Sequence, residues 1–316
     1  MTDPSIDLIN IEKRYGSQVA VRGVDLQLNA SESVALVGHN GAGKTTLMKL
    51  MLGLIRPSAG TVRVLGEDPV ASAAVRSRNG VGFLPETIAF NASMTGAEVI
   101  TFFARLKGVP KAEGRDLLAR VGLSDAAGQR VGTYSKGMRQ RLGLAQALLG
   151  SPRVLLLDEP TTGLDPQLRQ SFYAIISELR DAGATVLLSS HALTEIEGQT
   201  DRVAIMDRGR LIALGTIEKL RSIARLPVRM RISVESRAEN LVQHLDGTVL
   251  NVSIINGAIT GAEMNGFTVD LTCGDDSKME VVRRAAAFGP TVRDIEIFPP
   301  TLDELYARFL DGERAG

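Results

Sequence analysis

Residues 38–46 read GHNGAGKTT, and this stretch decides the fold. It fits the pattern G-x-x-x-x-G-K-[ST] of a phosphate-binding P-loop. The apolar run at residues 34–37 is typical of a buried strand, and residues 46–52 follow the loop at helical spacing. A strand, a glycine-rich loop and a helix in this order form the context that the motif requires. The sequence therefore predicts a phosphate site here, against the alternative of a glycine-rich turn without a ligand.

The loop offers several groups to a phosphate. Its successive backbone N–H groups can converge on the phosphate oxygens, and the positive end of the following helix supports the same charge. Gly41 and Gly43 allow backbone angles that a Cβ would forbid. Lys44 is placed to reach β- and γ-phosphates, and Thr45 to hold Mg²⁺. The predicted nucleotide-binding residues of the loop are Gly38, His39, Asn40, Gly41, Ala42, Gly43, Lys44, Thr45 and Thr46.

A second motif, VLLLDEP at residues 154–160, places two carboxylates after a short apolar run. A carboxylate at the carboxyl end of a buried strand beside a P-loop is placed to bind the Mg²⁺ shell, which assigns that role to Asp158. Glu159 is placed to orient or deprotonate an attacking water. An isolated D-E-P is more often an ordinary junction between a strand and a loop. The apolar run before it and the P-loop upstream favour the catalytic interpretation.

Three further features are less specific. Ser135 and Gly137 would open a helix over residues 136–149, whose amino end could face an anion, although an ordinary N-cap explains them as well. His191 follows a predicted strand, where an imidazole could meet a γ-phosphate, but a lone histidine is more often structural. Tyr15 could stack on adenine or simply lie at the surface of a hairpin.

Composition limits the classes of protein that the chain can belong to. It has 316 residues, which suits two domains, and 36 Lys and Arg balance 36 Asp and Glu. The absence of a basic excess argues against a nucleic-acid partner. Cys273 is the single cysteine, so an intramolecular disulfide is impossible and a reducing cytoplasm is expected. The three histidines are scattered, and Cys273 and the nine dispersed methionines form no visible site, so we expect no direct copper site.

The order of apolar patterns predicts the architecture. Residues 5–28 read as antiparallel strands at a sheet edge, and the helical patterns between 95 and 150 predict an inserted helical subdomain over about 87–150. From residue 154, strands and helices alternate, which predicts a mostly parallel sheet. After about residue 225 the order βαββαβ predicts a small α+β ferredoxin-like domain. The predicted domains are 1–222 and 223–316.

The chain carries, in order, Tyr15, GHNGAGKT, FLPE, YSKGM, LLLDEP, GLDP and His191. This combination resembles the nucleotide-binding subunit of ATP-binding cassette (ABC) transporters over residues 5–220. The resemblance implies an α/β P-loop NTPase cassette that binds ATP and Mg²⁺. It also implies ATP hydrolysis coupled to conformational work on an integral membrane permease, at the cytoplasmic face of the inner membrane. No stretch of the sequence reaches 18 apolar residues, so we expect membrane association only through such a partner.

The resemblance also implies a homodimer, in which two copies meet head to tail and each ATP lies between them. The catalytic residues would be Lys44, Glu159 and His191, and the Mg²⁺ ligands would be Thr45, Glu86 and Asp158, the last partly through water. Tyr15 and the P-loop would bind the nucleotide of the same copy. Ser135, Lys136, Gly137 and Met138 would bind the ATP of the partner, and Asp165 would lie at the dimer interface.

Two positions depart from the family pattern. The family usually has Gln where Glu86 stands; a carboxylate there can still ligate Mg²⁺ or its water but adds negative charge near the phosphates. The segment that contacts the partner's ATP usually reads LSGGQ, and here Tyr134, Lys136 and Met138 replace three of its positions. Lys136 could offset the extra charge of Glu86.

Three kinds of assembly are candidates for the one in which the cassette works. GHNGAGKTTLMKLMLGL, ARLKG and TYSKGMRQRLGLAQALLG are similar to the ATPase of the Nos complex, which supports copper-site maturation of nitrous oxide reductase with a membrane subunit and a periplasmic β-helical subunit. YSKGM also occurs in cassettes of drug, lipid and polysaccharide exporters, which is the alternative. A soluble cassette ATPase acting on ribosomes or DNA is a third, but it usually has two cassettes or a long coiled coil.

Overall fold

The computed structural model describes residues 3–72, 74, 78–191, 193–235, 238–256, 259–260, 263–264 and 266–314. The chain divides into two compact units, Met1–Thr216 and Ile217–Gly316. The division lies six residues before the one expected from the sequence (222 − 216) because the helix that follows it packs against the C-terminal helix of the second unit. In this contact, Arg221 Nε donates to the Pro300 carbonyl oxygen at 3.0 Å.

The first unit contains nine of the named strands and six helices within its described residues. The strands are β1 Ile6–Tyr15, β2 Gln18–Leu28, β3 Ser33–Val37, β4 Ala59–Val64, β5 Val81–Leu84, β6 Val154–Leu157, β7 Thr185–Ser190, β8 Arg202–Asp207 and β9 Arg210–Gly215. The helices are α1 Lys44–Met51, α2 Gly96–Lys107, α3 Lys111–Arg120, α4 Lys136–Leu148, α5 Pro166–Asp181 and α6 Leu193–Ile196.

A six-stranded sheet in the order β5-β6-β7-β3-β8-β9 forms the centre of the first unit. Its first five strands are parallel, and β9 returns antiparallel to β8. Every residue of β3, β6 and β7 is buried, which explains their continuous apolar runs, since parallel strands covered on both faces need no alternation. The parallel direction brings the carboxyl ends of β6, β7, β3 and β8 to one edge.

The antiparallel strands expected over residues 5–28 form a separate three-stranded sheet in the order β2-β1-β4. The apolar stretch Ile6–Ile11 predicts the first of these strands, but β1 extends to Tyr15 because its pairing with β2 continues through register shifts. The α/β cassette with an antiparallel edge sheet is therefore confirmed.

Helices α2, α3 and α4 pack on one another and lie in the chain between β5 and β6, as an inserted helical subdomain. The first turn of α2 is fixed by a capping box between Thr95 and Glu98, and the helix ends at Gly108, whose φ is 70°. In the part of the chain that the structure describes, none of the helices is both long and apolar enough to span a membrane.

The second unit contains helices α7 Ile217–Ala224, α8 Ala238–His244, α9 Lys278–Ala287 and α10 Leu302–Arg314 and strands β10 Val228–Val234, β11 Asn251–Asn256, β12 Ile259–Thr260, β13 Glu263–Met264, β14 Phe267–Cys273 and β15 Val292–Phe298. Its main sheet is antiparallel in the order β11-β14-β10-β15. This is the ferredoxin-like arrangement, with the additional hairpin β12–β13. The sequence predicts a strand from Thr248 to Ile254, but β11 begins at Asn251 because Thr248 closes a turn on Leu245, its N–H donating to that carbonyl oxygen at 3.1 Å.

Candidate nucleotide-binding site

The P-loop connects β3 to α1 and approaches neighbouring backbone closely. Gly41 and Gly43 have positive φ values of 85° and 106°, which side chains with a Cβ rarely adopt. A Cβ on Gly38 would lie 2.6 Å from the Met206 carbonyl oxygen on β8. The glycines are therefore required by backbone conformation and by packing, as the motif predicts.

Lys44, the first residue of α1, is buried and folds back over the loop. Its Nζ donates to the Gly38 carbonyl oxygen at 2.5 Å and lies 3.7 Å from Oε1 of Glu159. An ammonium group in a protected site attracts an anion more strongly than one in water does. The position of Lys44 therefore suits a phosphate between the loop and the end of β6.

Thr45 and Asp158 meet as the sequence predicts. Thr45 Oγ1 donates to Oδ2 of Asp158 at 3.0 Å. Hydroxyl and carboxylate oxygens are the ligands that Mg²⁺ prefers, so this donor pair fits the metal. Glu86 also lines this cleft and brings a further carboxylate to it.

Ser189, near the end of β7, holds the two acidic residues of the DEP motif in place. Its Oγ donates to Oδ1 of Asp158 at 2.6 Å and accepts the backbone N–H of Glu159 at 2.8 Å. Sequence reasoning missed this serine. The signal was a polar pair, Ser189 and Ser190, at the carboxyl end of an otherwise apolar strand just before His191.

Glu159 and His191 form the next contact along the sheet edge. His191 Nδ1 lies 2.6 Å from Oε2 of Glu159. The carboxylate is buried, whereas the His191 side chain is 60% exposed and faces the cleft. Glu159 therefore touches both Lys44 and His191, and it sits where an attacking water could be oriented.

These groups line a cleft of about 900 Å³. Of the predicted site residues, the cleft is lined by Tyr15, His39, Asn40, Gly41, Ala42, Gly43, Lys44, Thr45, Thr46, Glu86, Asp158, Glu159 and His191. Sequence reasoning did not select Gln18, Val19, Ala20, Arg22, Thr162 and Arg208, which also line it. Tyr15 lies 47% exposed beside Lys13, whose Nζ is 5.1 Å from the ring centroid.

The segment predicted to contact a partner's ATP does not line this cleft. Ser135 caps α4 and its Oγ accepts the N–H of Met138 at 3.1 Å. Asp165 caps α5 by accepting the N–H of Leu168 at 2.9 Å. A Cβ on Gly137 would lie 3.4 Å from the Leu168 side chain, so the two capped helix starts are neighbours.

Comparison with known proteins agrees with this geometry. The sequence matches the ABC transporter family over residues 21–162. It is 35% identical to the daunorubicin resistance ATP-binding protein DrrA3 of Streptomyces coeruleorubidus, over 99% of this chain and 98% of that protein. It is 41% identical to the Nod factor export ATP-binding protein I of Burkholderia orbicola, over 68% of this chain and 72% of that protein.

Solved structures show the same fold. An ATP-binding subunit of an ABC transporter superposes with a TM-score of 0.65 at 30% identity, covering 69% of this chain and 92% of that one. A nucleotide-free ATP-binding cassette superposes with a TM-score of 0.63 at 22% identity, over 70% and 94% of the two chains. This chain therefore belongs to the ABC transporter family, as an ATP-binding subunit that hydrolyses ATP with the help of Mg²⁺.

Proposed function

We propose that this ATPase drives an exporter: two copies close head to tail on ATP, and their closing and opening move the helices of an integral membrane permease at the cytoplasmic face of the membrane. The observation that carries this proposal is the meeting of Thr45 with Asp158 and of Glu159 with His191 at one sheet edge. A site that binds, orients and hydrolyses within one cleft can couple nucleotide turnover to movement.

In the proposed reaction, each residue of the cleft has a separate role. Lys44 and the backbone N–H groups of the P-loop bind the β- and γ-phosphates, and Tyr15 lies against the base. Thr45, Asp158 and Glu86 would hold Mg²⁺, which would neutralise charge that develops on the phosphate oxygens. Glu159 orients water and accepts its proton as the water oxygen bonds to the γ-phosphorus and the bond to the β–γ bridging oxygen breaks. His191, oriented by Glu159, contacts the γ-phosphate.

The head-to-tail arrangement is supported by the exposed start of α4. Ser135 and Lys136 are exposed at the amino end of a 13-residue helix and do not line the cleft of their own chain. The amino end of a helix attracts anions, so the γ-phosphate of a partner's ATP is a suitable ligand. Asp165, next to this start, would lie at the dimer interface.

The names of the relatives favour a drug or a Nod factor as the class of cargo. A relative that matches 99% of this chain is named for daunorubicin resistance, and a match of this length includes the ferredoxin-like domain. A second relative is named for Nod factor export, and a third, from Bacillus subtilis, for linearmycin resistance. None of these three names concerns nitrous oxide reductase, so the Nos assembly with its β-helical subunit stays a prediction that rests on the motifs alone.

Purification from detergent-solubilised membranes tests the proposal. We expect the tagged chain to bring down a polytopic membrane protein encoded beside it and to raise drug tolerance when both are expressed. Loss of the tolerance with Glu159→Gln would link it to hydrolysis. Stable association with ribosomes and no membrane protein would contradict the exporter and favour a soluble cassette, whereas copper-enzyme maturation factors in adjacent genes would favour the Nos complex.

A further inference from the structure

Glu195, on the short helix α6 that follows His191, contacts two other segments of the first unit. Its Oε2 accepts the Thr161 hydroxyl at 3.0 Å, and its Oε1 lies 2.9 Å from Nη1 of Arg169. The Glu195 side chain is 21% exposed and does not line the nucleotide cleft. One carboxylate therefore joins α6 to the loop after the DEP motif and to the first turns of α5.

The contact with Thr161 repeats a connection that the cleft already contains. Glu159 and Thr161 lie two positions apart in the loop after β6, and His191 and Glu195 lie four positions apart after β7. His191 contacts Glu159, and Glu195 accepts the hydroxyl of Thr161, which is buried and needs an acceptor. Two separate contacts between the same segments hinder the rotation that a single contact would allow. Glu195 therefore helps to fix the position of His191 against Glu159.

The contact with Arg169 connects the same carboxylate to the start of α5. The N–H of Arg169 donates to the Asp165 carbonyl oxygen at 3.0 Å, and its Nη2 donates to the Leu164 carbonyl oxygen at 3.4 Å. The side chains of Arg169 and Glu195 are 31% and 21% exposed, so water and salt screen this pair less than a pair at the open surface. The turn at Asp165, which we propose to lie at the dimer interface, is thereby linked to the segment that carries His191.

The charge of Glu195 acts in surroundings that are partly closed to water. Burial raises the pKa of Tyr173, one turn further along α5 than Arg169, to about 12, and the Glu195 carboxylate adds to this rise. Charges attract each other more strongly in such surroundings than in water. Removal of either partner would leave the other without its counter-charge, so we expect the contact between Arg169 and Glu195 to persist in the folded chain.

We propose that Glu195 is a positioning residue for ATP hydrolysis, which holds His191 and Glu159 in place relative to the turn at Asp165. Because Glu195 does not line the cleft, its loss should slow the chemical step and leave the affinity for nucleotide unchanged. The inference rests on the proposed catalytic roles of Glu159 and His191.

ATPase kinetics and calorimetric binding of Mg²⁺-ADP to the full-length chain test whether Glu195 affects the chemical step alone. We expect Glu195→Ala to lower kcat roughly fivefold to fiftyfold and to leave the Kd of Mg²⁺-ADP within about twofold of the wild type. Glu195→Gln, which keeps an acceptor oxygen but not the charge, should lower kcat less. The calorimetric stoichiometry gives the folded fraction, to which kcat is referred.

Glu32→Gln is the matched control. Glu32 also pairs with a partly buried arginine, Arg202, whose Nη2 donates to Oε2 at 2.9 Å, but it precedes β3 at the end of the strand away from the P-loop. Its kcat should stay at the wild-type value. An unchanged kcat in Glu195→Ala, or a loss of ADP affinity as large as the loss of kcat, would overturn the proposal.

A double-mutant cycle tests the part played by Arg169. We expect Arg169→Gln to lower kcat about as much as Glu195→Gln, and the double variant to be no slower than the slower single variant, because both changes remove the same contact. Effects that multiply would show that the two residues act independently and would overturn the proposal. Glu159→Gln is measured alongside them. A normal rate in that variant would contradict the proposed catalytic role itself, whereas a rate lost in Glu159→Gln and kept in Glu195→Ala would contradict this inference alone.

Discussion

At the scale of single residues, Glu159 stands in an uncommon backbone conformation. Its φ is 48°, in the left-handed region, which costs a residue with a side chain roughly 1–2 kcal/mol. Ser189 accepts its N–H, and His191 contacts its carboxylate. Strain that neighbouring contacts maintain in this way is typical of functional sites. Here it turns the carboxylate toward Lys44 and the cleft.

Glu159→Gln tests the proposed catalytic role. The amide keeps the shape of the side chain but cannot accept a proton from water, so we expect the ATPase rate to fall by about 10²–10⁴-fold while ATP still binds. Size-exclusion chromatography with ATP should then show a persistent dimer. Glu178→Gln, on the exposed face of α5, is the control and should keep the wild-type rate. An unchanged rate in Glu159→Gln would remove this residue from its role.

Ser189→Ala tests the residue that the sequence did not reveal. The change leaves a buried carboxylate oxygen of Asp158 and the N–H of Glu159 without their serine partner, which should cost about 1–3 kcal/mol of stability. Because Asp158 loses its orientation, we also expect half-maximal ATPase activity to require more Mg²⁺. Urea unfolding and Mg²⁺ titrations measure the two effects. Ser171→Ala, on exposed α5, should change neither; a normal Mg²⁺ requirement in Ser189→Ala would show that Asp158 does not depend on it.

At the scale of elements, the ferredoxin-like sheet carries a cross-strand ion pair on its outer face. Arg231 on β10 donates through Nε and an Nη to both carboxylate oxygens of Asp270 on β14, at 2.7 and 2.9 Å. The hydrogen bond from Arg231 lowers the pKa of Asp270 below its ordinary value. Both side chains are partly exposed, so the pair contributes only a small part of the stability of the sheet.

The lowered pKa predicts a pH dependence with a definite sign. A carboxyl group whose pKa is lower in the folded chain stabilises the fold above its unfolded pKa of about 3.9, and this stabilisation is lost as the pH falls through the folded value. Asp270→Asn should therefore weaken protection of β10 and β14 amides from hydrogen exchange at pH 7, by about 0.2–1 kcal/mol, and have little effect near pH 2. An equal loss at both pH values would show that shape, and not charge, matters.

At the scale of the whole molecule, the cleft and the start of α4 belong to different parts of the cassette. Within one chain, the cleft is lined by the P-loop, the ends of β6 and β7 and residues of β2, but not by Ser135. One copy therefore presents a P-loop and, apart from it, the helix start that we propose to contact the ATP of a partner. Two copies related by a two-fold axis would complete two equivalent sites, which is the arrangement proposed above.

Mixing two inactive variants tests this arrangement. Lys44→Ala disables the P-loop, and Ser135→Arg blocks the start of α4, so each homodimer should be inactive. A mixed dimer has one site with both defects and one intact site. An equal mixture should therefore recover roughly a quarter of the wild-type ATPase rate, because about half of the dimers are mixed. A mixture no more active than its components would contradict sites shared between copies.

Much of the fold and of the site could be predicted because the deciding signals are local. The P-loop and the DEP motif each follow a continuous apolar run, His191 follows a strand with an apolar centre, and the residue types at each place limit the chemistry. The predicted boundaries were less accurate for β1, whose pairing with β2 continues beyond its apolar residues. They were also less accurate for β11, because the turn at Thr248 comes before the strand. Ser189 was not predicted as a site residue, because a serine at the end of a strand is common for purely structural reasons.

By itself, the sequence determined the P-loop, the order of strands and helices, and the acidic pair at the end of β6, since each depends on residues adjacent in the chain. The tertiary structure alone decided which residues meet: Ser189 with Asp158, His191 with Glu159 and Asp207 with His39. Pairing in the order β6-β7-β3-β8 brings these distant residues to one edge. The physical reason is that strand order and register arise from packing of the whole sheet, to which every strand contributes and which no single segment encodes.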